Sequence, residues 1–135
     1  MATKVFINLP VKDLNKSVSF FKELGYSFNP QFTDEKATCM VISDNIFAML
    51  LTEPYFKSFT QKQVADAKAA TEVLIALDTK SREEVKQMVS KAKELGATIY
   101  AEPQDHGWMY QHSFADLDGH QWELVYMDET QIPNQ

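Results

Sequence analysis

Cysteine is all but absent from this sequence. One residue of that type, Cys39, stands among 135, so no intramolecular disulfide can form, and a reducing compartment is expected. No partner base is recognisable for Cys39, which reads as a buried structural thiol rather than a nucleophile. Long hydrophobic runs are missing too: none reaches the roughly 18 residues that a membrane span requires. The opening MATKVFINLP has neither the length nor the layout of a signal peptide. A cytoplasmic protein with no membrane partner is the expectation. Positive charge is in deficit, with 13 Lys and Arg against 19 Asp and Glu and a net charge of −6. The lysines are scattered among acids, as in KSREEVKQ, and without a basic patch no nucleic-acid partner is expected.

What is present suits one globular domain. The length is that of a single domain, and 44% hydrophobic residues can fill a core.

Two strings in the sequence repeat: KELGYSF at 22–28 and KELGATI at 93–99. Each closes a stretch of helical periodicity. Leu14, Val18, Phe21 and Leu24 share one face in the first, and Val85, Met88, Ala92 and Leu95 in the second. Asp13 is placed to cap the first helix. Ser81 with Glu84 forms a capping box for the second. Gly25 and Gly96 fall where a helix end takes a left-handed residue. Strand patterns surround both: VFINLPV, then SFNPQFT, ATCMVIS and NIFAMLL in the first half, and TEVLIAL, then ATIYAE, WMYQHSFA and HQWELVYM in the second. The turns Ser43-Asp44-Asn45 and Asp118-Gly119 precede the last strand of each half. The fold class is therefore α+β, with two tandem βαβββ modules at about 4–52 and 71–128 in one domain of 135 residues. Side by side they would form a curved mixed sheet, with helices outside and a concave cavity within, the shape a ligand site needs. Residues 53–70 connect them, and Gln61–Ala69 reads as a helix.

The stretch DGHQWELVYM carries the sharpest question. In a strand, Trp122, Leu124 and Tyr126 share an apolar face, while Gln121, Glu123, Val125 and Met127 share the other. Glu123 is either solvated or aimed into a polar cavity.

The repeat, the opening INLPVKDLNKSVSFF and the closing FADLDGHQWELVYM resemble the vicinal oxygen chelate superfamily. That group includes glyoxalase I, extradiol dioxygenases, and fosfomycin- and bleomycin-resistance proteins. The likeness spans residues 4–128 and is nearest to the predicted lactoylglutathione lyase-like subgroup. It implies a homodimer and a metal in the cup of the sheet, with ligands from the first and fourth strands of each module. The last ligand is the glutamate of D-x-D-G-x-x-x-E, here Asp116 to Glu123, which favours the inward reading. The matching positions elsewhere fall on Phe6, Ala48 and Glu72. Phe6 and Ala48 cannot coordinate a metal, so Glu72 and Glu123 remain as the metal-ligand and catalytic candidates.

Two carboxylates suit Mg²⁺ or Mn²⁺ with several waters better than Zn²⁺, which takes three or four protein ligands; Ni²⁺ belongs to the same set of divalent candidates. Asn8 shares the inward parity of Phe6 and Glu123, and His112 on WMYQHSFA is a further candidate. His106 and His120 read as scaffold residues. Three functions remain open. The first is a glyoxalase-like lyase or isomerase with an atypical divalent-metal site and a glutamate base. The second is a metal-free small-molecule binding protein of the bleomycin-resistance type, with Phe6, Asn8, Trp108, Tyr110 and His112 as ligand-binding residues and the connector aromatics Phe56 and Phe59 as a wall. The third is a dimeric scaffold whose site has decayed. No lysine or arginine is recognisable in the cup to hold an oxyanion, which weighs against standard glyoxalase I activity.

Overall fold

The computed structural model describes residues 1–133. It divides into two compact units, one comprising Met1–Ala65 and the other beginning at Asp66.

Unit one runs β1 (Val5–Val11), α1 (Leu14–Leu24), β2 (Ser27–Asn29), β3 (Ala37–Ser43), β4 (Ile46–Thr52) and α2 (Glu53–Lys57). Its sheet has the order β1-β4-β3-β2, with β1 and β4 parallel and the other pairs antiparallel. The Asp13 carboxylate caps α1 by accepting from the Lys16 N–H at 3.1 Å, an interaction worth about 1 kcal/mol. The helix ends where Gly25 takes a positive φ of 117°. Its buried side chains are Ser17, Phe20, Phe21 and Leu24, so the inward stripe lies nearer Ser17 and Phe20 than the Leu14–Val18 edge of the sequence pattern.

Register sorts the two faces of this sheet. Leu9 lies opposite Leu50, Ile7 opposite Ala48, and Met40 opposite Ala48. Leu9, Met40, Ala48 and Leu50 are buried and form the core with the α1 side chains. The other face carries Phe6, Asn8, Cys39, Phe47 and Met49. Phe6 stacks on Phe47 with ring centroids 4.9 Å apart. Ala48 therefore lies on the helix side, and its neighbours Phe47 and Met49 occupy the face on which the sequence comparison had set it. Strand alternation makes this a one-residue difference that reverses the face.

Unit two repeats the plan with β5 (Leu74–Asp78), α3 (Arg82–Glu94), β6 (Gln104–Asp105), β7 (Met109–Ala115) and β8 (Gln121–Met127). The sheet order is β5-β8-β7-β6. Ser81 Oγ accepts from the Glu84 N–H, and Glu84 returns a bond to the N–H of Lys80, one residue before the cap. Val85, Val89 and Ala92 of α3 are buried, as are Ile75, Phe114, Trp122 and Leu124 on the strands.

Three expected elements differ. SFNPQFT is a strand only over Ser27–Asn29, and Pro30–Phe32 form a short 3-10 helix. ATIYAE is not a strand: only Thr98 bridges Ala115, and the regular strand begins later, at Gln104. Pro103 lacks the N–H that a longer ladder would require. Nor is Gln61–Ala69 a helix. Asp66 draws the chain into a turn, accepting from Lys68 N at its carboxylate and from Ala69 N and Ala70 N at its carbonyl. Val64 is the sole large apolar side chain in that stretch, so a helix there has no stripe to bury.

Candidate functional site

The site of interest in unit two is the face of its sheet away from the buried Trp122 and Leu124. β7 and β8 pair so that Ser113 lies opposite Glu123, Ala115 opposite Gln121, and Gln111 opposite Val125. Gln111 and Glu123 are diagonal neighbours on that face, within reach of long side chains. The Gln111 amide Nε2 donates to Glu123 Oε2 at 2.8 Å. The parallel neighbour of Glu123 on β5 is Ala76, whose small side chain leaves room above the sheet.

A pocket of about 230 Å³ opens on this face. Its polar lining includes Glu102, Gln104, Gln111, Ser113, Gln121 and Glu123. Leu74 and Tyr100, both exposed, supply apolar edges. None of the lining residues is Lys or Arg.

The turn before β8 fixes where Glu123 stands. Asp116 is buried. One carboxylate oxygen accepts from the N–H groups of Asp118 and His120, each at 3.0 Å, and the other from Trp122 Nε1 at 3.0 Å. Asp116 N and His120 O close the loop at 2.9 Å. Burial pushes the Asp116 carboxyl up, against the pull of His120 and of those three N–H donors. The first aspartate of the D-x-D-G motif is thus an organiser: it anchors Trp122 in the core and so orients the residue that follows it. Sequence reading fastened on the glutamate of this motif and missed Asp116, whose signal was its place at a turn leading into a tryptophan.

The other candidates fall in several places. Glu72 is exposed and lies two residues before β5 begins. It precedes Ala76, the partner of Glu123, by four residues, roughly 13 Å at the rise of a strand. The β5–β8 register begins after Glu72, with Leu74 opposite Gln121. Tyr110 lies opposite Tyr126 and is buried, with Arg82 and Lys86 of α3 each 5.5 Å from its ring. It faces the helix and belongs to the core, not to a ligand surface. Arg82 also ties β6 to α3 through Asp105 at 2.8 Å. Its hydrogen bond, then that of the Gly107 N–H, holds the Asp105 carboxyl below the usual range.

His112 shares the helix-side parity, opposite Leu124. Its Nε2 lies 2.9 Å from the Ala101 carbonyl, at the border of the pocket. Trp108 is half-buried just before β7, where its carbonyl accepts from Asp128 N. Phe6 and Asn8 stand in unit one, on the face away from α1. Phe56 is half-buried and Phe59 exposed, with Phe59 edge-on to Tyr55. Cys39 is buried, and burial pushes its thiol up, away from a reactive thiolate.

Similarity to known proteins agrees with this architecture. A family described as bleomycin resistance protein-like N-terminal matches residues 3–43. A solved hypothetical protein from S. aureus is 32% identical, with 93% of this chain and 95% of that one covered and a TM-score of 0.79. A glyoxalase/bleomycin resistance protein/dioxygenase family enzyme from Burkholderia phytofirmans shares the fold, with a TM-score of 0.75 at 14% identity over 90% of this chain and 96% of that one. The chain has the fold of the glyoxalase/bleomycin resistance/dioxygenase structures. A fosfomycin resistance protein from Listeria monocytogenes shares this fold, with a TM-score of 0.68 at 23% identity and 93% of each chain covered. Among curated proteins none matches the chain.

The side chains of each sheet decide whether the divalent ion implied by the sequence resemblance has a holder. The expected positions hold Phe6 in unit one and, by register, Phe47 or Met49 rather than a donor. Glu123 has an amide as its neighbour. Among the described residues, no three His, Cys, Asp or Glu side chains are grouped to hold an ion. This donor set does not fit a resident metal.

Proposed function

We propose that this chain is a small-molecule protein of the glyoxalase and bleomycin-resistance kind, and that it takes up its ligand without a resident metal at the Glu123 face of unit two. One observation carries the reading: a carboxylate in a pocket of hydrogen-bonding side chains, held by the Gln111 amide and by no second carboxylate. Such a group binds a ligand through its acidic hydrogens, and burial of the apolar edges adds affinity.

A glyoxalase-like proton transfer with Glu123 as base, of which lactoylglutathione lyase chemistry is the narrower form, is the second reading. What favours it is the hydrogen bonding of Glu123, whose described bond engages Oε2. A general base needs an oxygen within reach of the substrate proton. A divalent ion would supply stabilisation of an enediolate oxygen, and the donor set gives it no holder.

A thermal-shift titration of EDTA-stripped protein tests the choice. Mg²⁺, Mn²⁺, Ni²⁺ and Zn²⁺ are added to wild type and to Glu123→Gln. A ligand that binds only the native state raises the melting temperature. The expected result is no difference between the two proteins with any ion. A metal that stabilises wild type and leaves the variant unmoved would make Glu123 a metal ligand and put the lyase reading first.

A further inference from the structure

The lining of the unit-two pocket is one-sided in its chemistry. Glu123 and Glu102 bring formal negative charge, and the carbonyls of Gln104, Gln111 and Gln121 add acceptors. No Lys or Arg lines the pocket, and its histidine, His112, has its Nε2 2.9 Å from the Ala101 carbonyl. The three ion pairs found among the described residues lie elsewhere: Arg82 with Asp105, Lys86 with Glu83, and Lys91 with Glu94. Glu123 is half-buried, and its described hydrogen bond is the one from Gln111. An ionised carboxylate accepts at about four positions, so one amide leaves most of its capacity unused. A charge-assisted hydrogen bond to a carboxylate is stronger than one from a neutral donor. A ligand that brings the countercharge is favoured over one that does not.

From this we infer that the pocket selects an organic cation: a primary ammonium or amidinium group, set against Glu123 and carried on a small apolar body. The inference rests on the Glu123 reading above and adds the ligand class to it. The ammonium or amidinium hydrogens reach Glu123 and the neighbouring glutamine carbonyls. The apolar body lies along Leu74 and Tyr100, where the ring face of Tyr100 also attracts positive charge. A carboxylate-bearing ligand is repelled from the same place. The chain's net charge of −6 speeds approach of a cation over longer range, in a salt-dependent way.

The test uses four probes that share one ring: benzylammonium, benzamidinium, benzyl alcohol and benzoate. Each is titrated into ¹⁵N-labelled full-length protein in the presence of EDTA, and backbone amide shifts are followed. Glu123→Gln is run beside wild type, and its spectrum outside the pocket reports whether it is folded. Glu102→Gln serves as a milder second variant at the rim. The two cations should shift the amides of Gln111, Ser113, Gln121 and Glu123 saturably. Glu123→Gln should weaken that binding about tenfold or more, the equivalent of losing one charge-assisted hydrogen bond.

Benzyl alcohol binding as tightly as benzylammonium, and still needing Glu123, would overturn the ligand class while the Glu123 site stands. Benzoate shifting the same amides would overturn it as well. Cation shifts spread across the acidic surface and unchanged in Glu123→Gln would reduce the effect to bulk attraction. No saturable shift from any probe would remove both the ligand class and the site.

Discussion

Gly119→Ala is expected to be among the most damaging single changes in this chain, although it adds only one methyl group, at a buried turn. Gly119 holds φ at +93°, where an L side chain is strained. A Cβ built there would meet Lys68 N at 2.7 Å and the Ala67 carbonyl carbon at 2.8 Å. Both contacts are backbone, so relief requires the 66–70 turn to move rather than a side chain to rotate. Loss of about 3 kcal/mol or more is expected, from roughly 1–2 kcal/mol of backbone strain with the overlap added. Gly25→Ala is the comparison. Its φ of +117° is similar, but a Cβ there meets nothing within 4 Å, so it should cost only the strain. Urea denaturation of the two variants decides the point: equal midpoints would mean that the 67–68 backbone yields freely.

Asp116→Ala is the second large effect. The substitution leaves three N–H donors without their acceptor, and one of them, Trp122 Nε1, is buried. Buried donors left unmade cost about 1–3 kcal/mol each, less where water can enter. A total of about 3 kcal/mol is expected, read as a fall of about 1–2 M in the urea midpoint. Asp116→Asn keeps one oxygen but sets an NH₂ against N–H groups, so it should recover only part.

The pH dependence has a definite sign. The folded Asp116 carboxyl titrates above its ordinary value, because burial disfavours the charge. Its contribution is complete below the unfolded value near 4 and is lost as pH rises through the raised one. Wild type, measured against Asp116→Asn, should therefore lose relative stability across that window and level off above it. A difference that grows with rising pH would mean that the three N–H donors outweigh burial.

How far the sequence revealed all this depends on the kind of signal. Both modules, both helix caps and the glycine helix ends were legible because each rests on local chemistry: Asp13 before an apolar stripe, Ser81 three residues before Glu84, glycine at a positive φ. Face assignments were legible where alternation is strong, as for Trp122 and Leu124 against Glu123. They were not legible on β7. There, polar Gln111 and Ser113 alternate with Tyr110, His112 and Phe114, and only pairing with β8 shows which set faces α3. Ala48 failed for a related reason, since NIFAMLL is apolar on both faces and carries no phase. Glu72 lies before β5, which begins at Leu74, and TEVLIAL carries no local signal for where its strand starts.

The same pairing also bears on the order in which the chain folds. β7 and β8 are neighbours in sequence and close around a turn already wired through Asp116. β5 must instead wait for β8 across more than forty residues of chain, because parallel partners need a crossover. Loop-closure entropy makes such contacts late and slow. The hairpin that carries Glu123 is thus the natural nucleus of its unit. Damage at Asp116 should fall on the rate of folding, while damage to β5 should fall on the rate of unfolding. The residue that organises the candidate site would then also govern how fast its half of the protein comes into being.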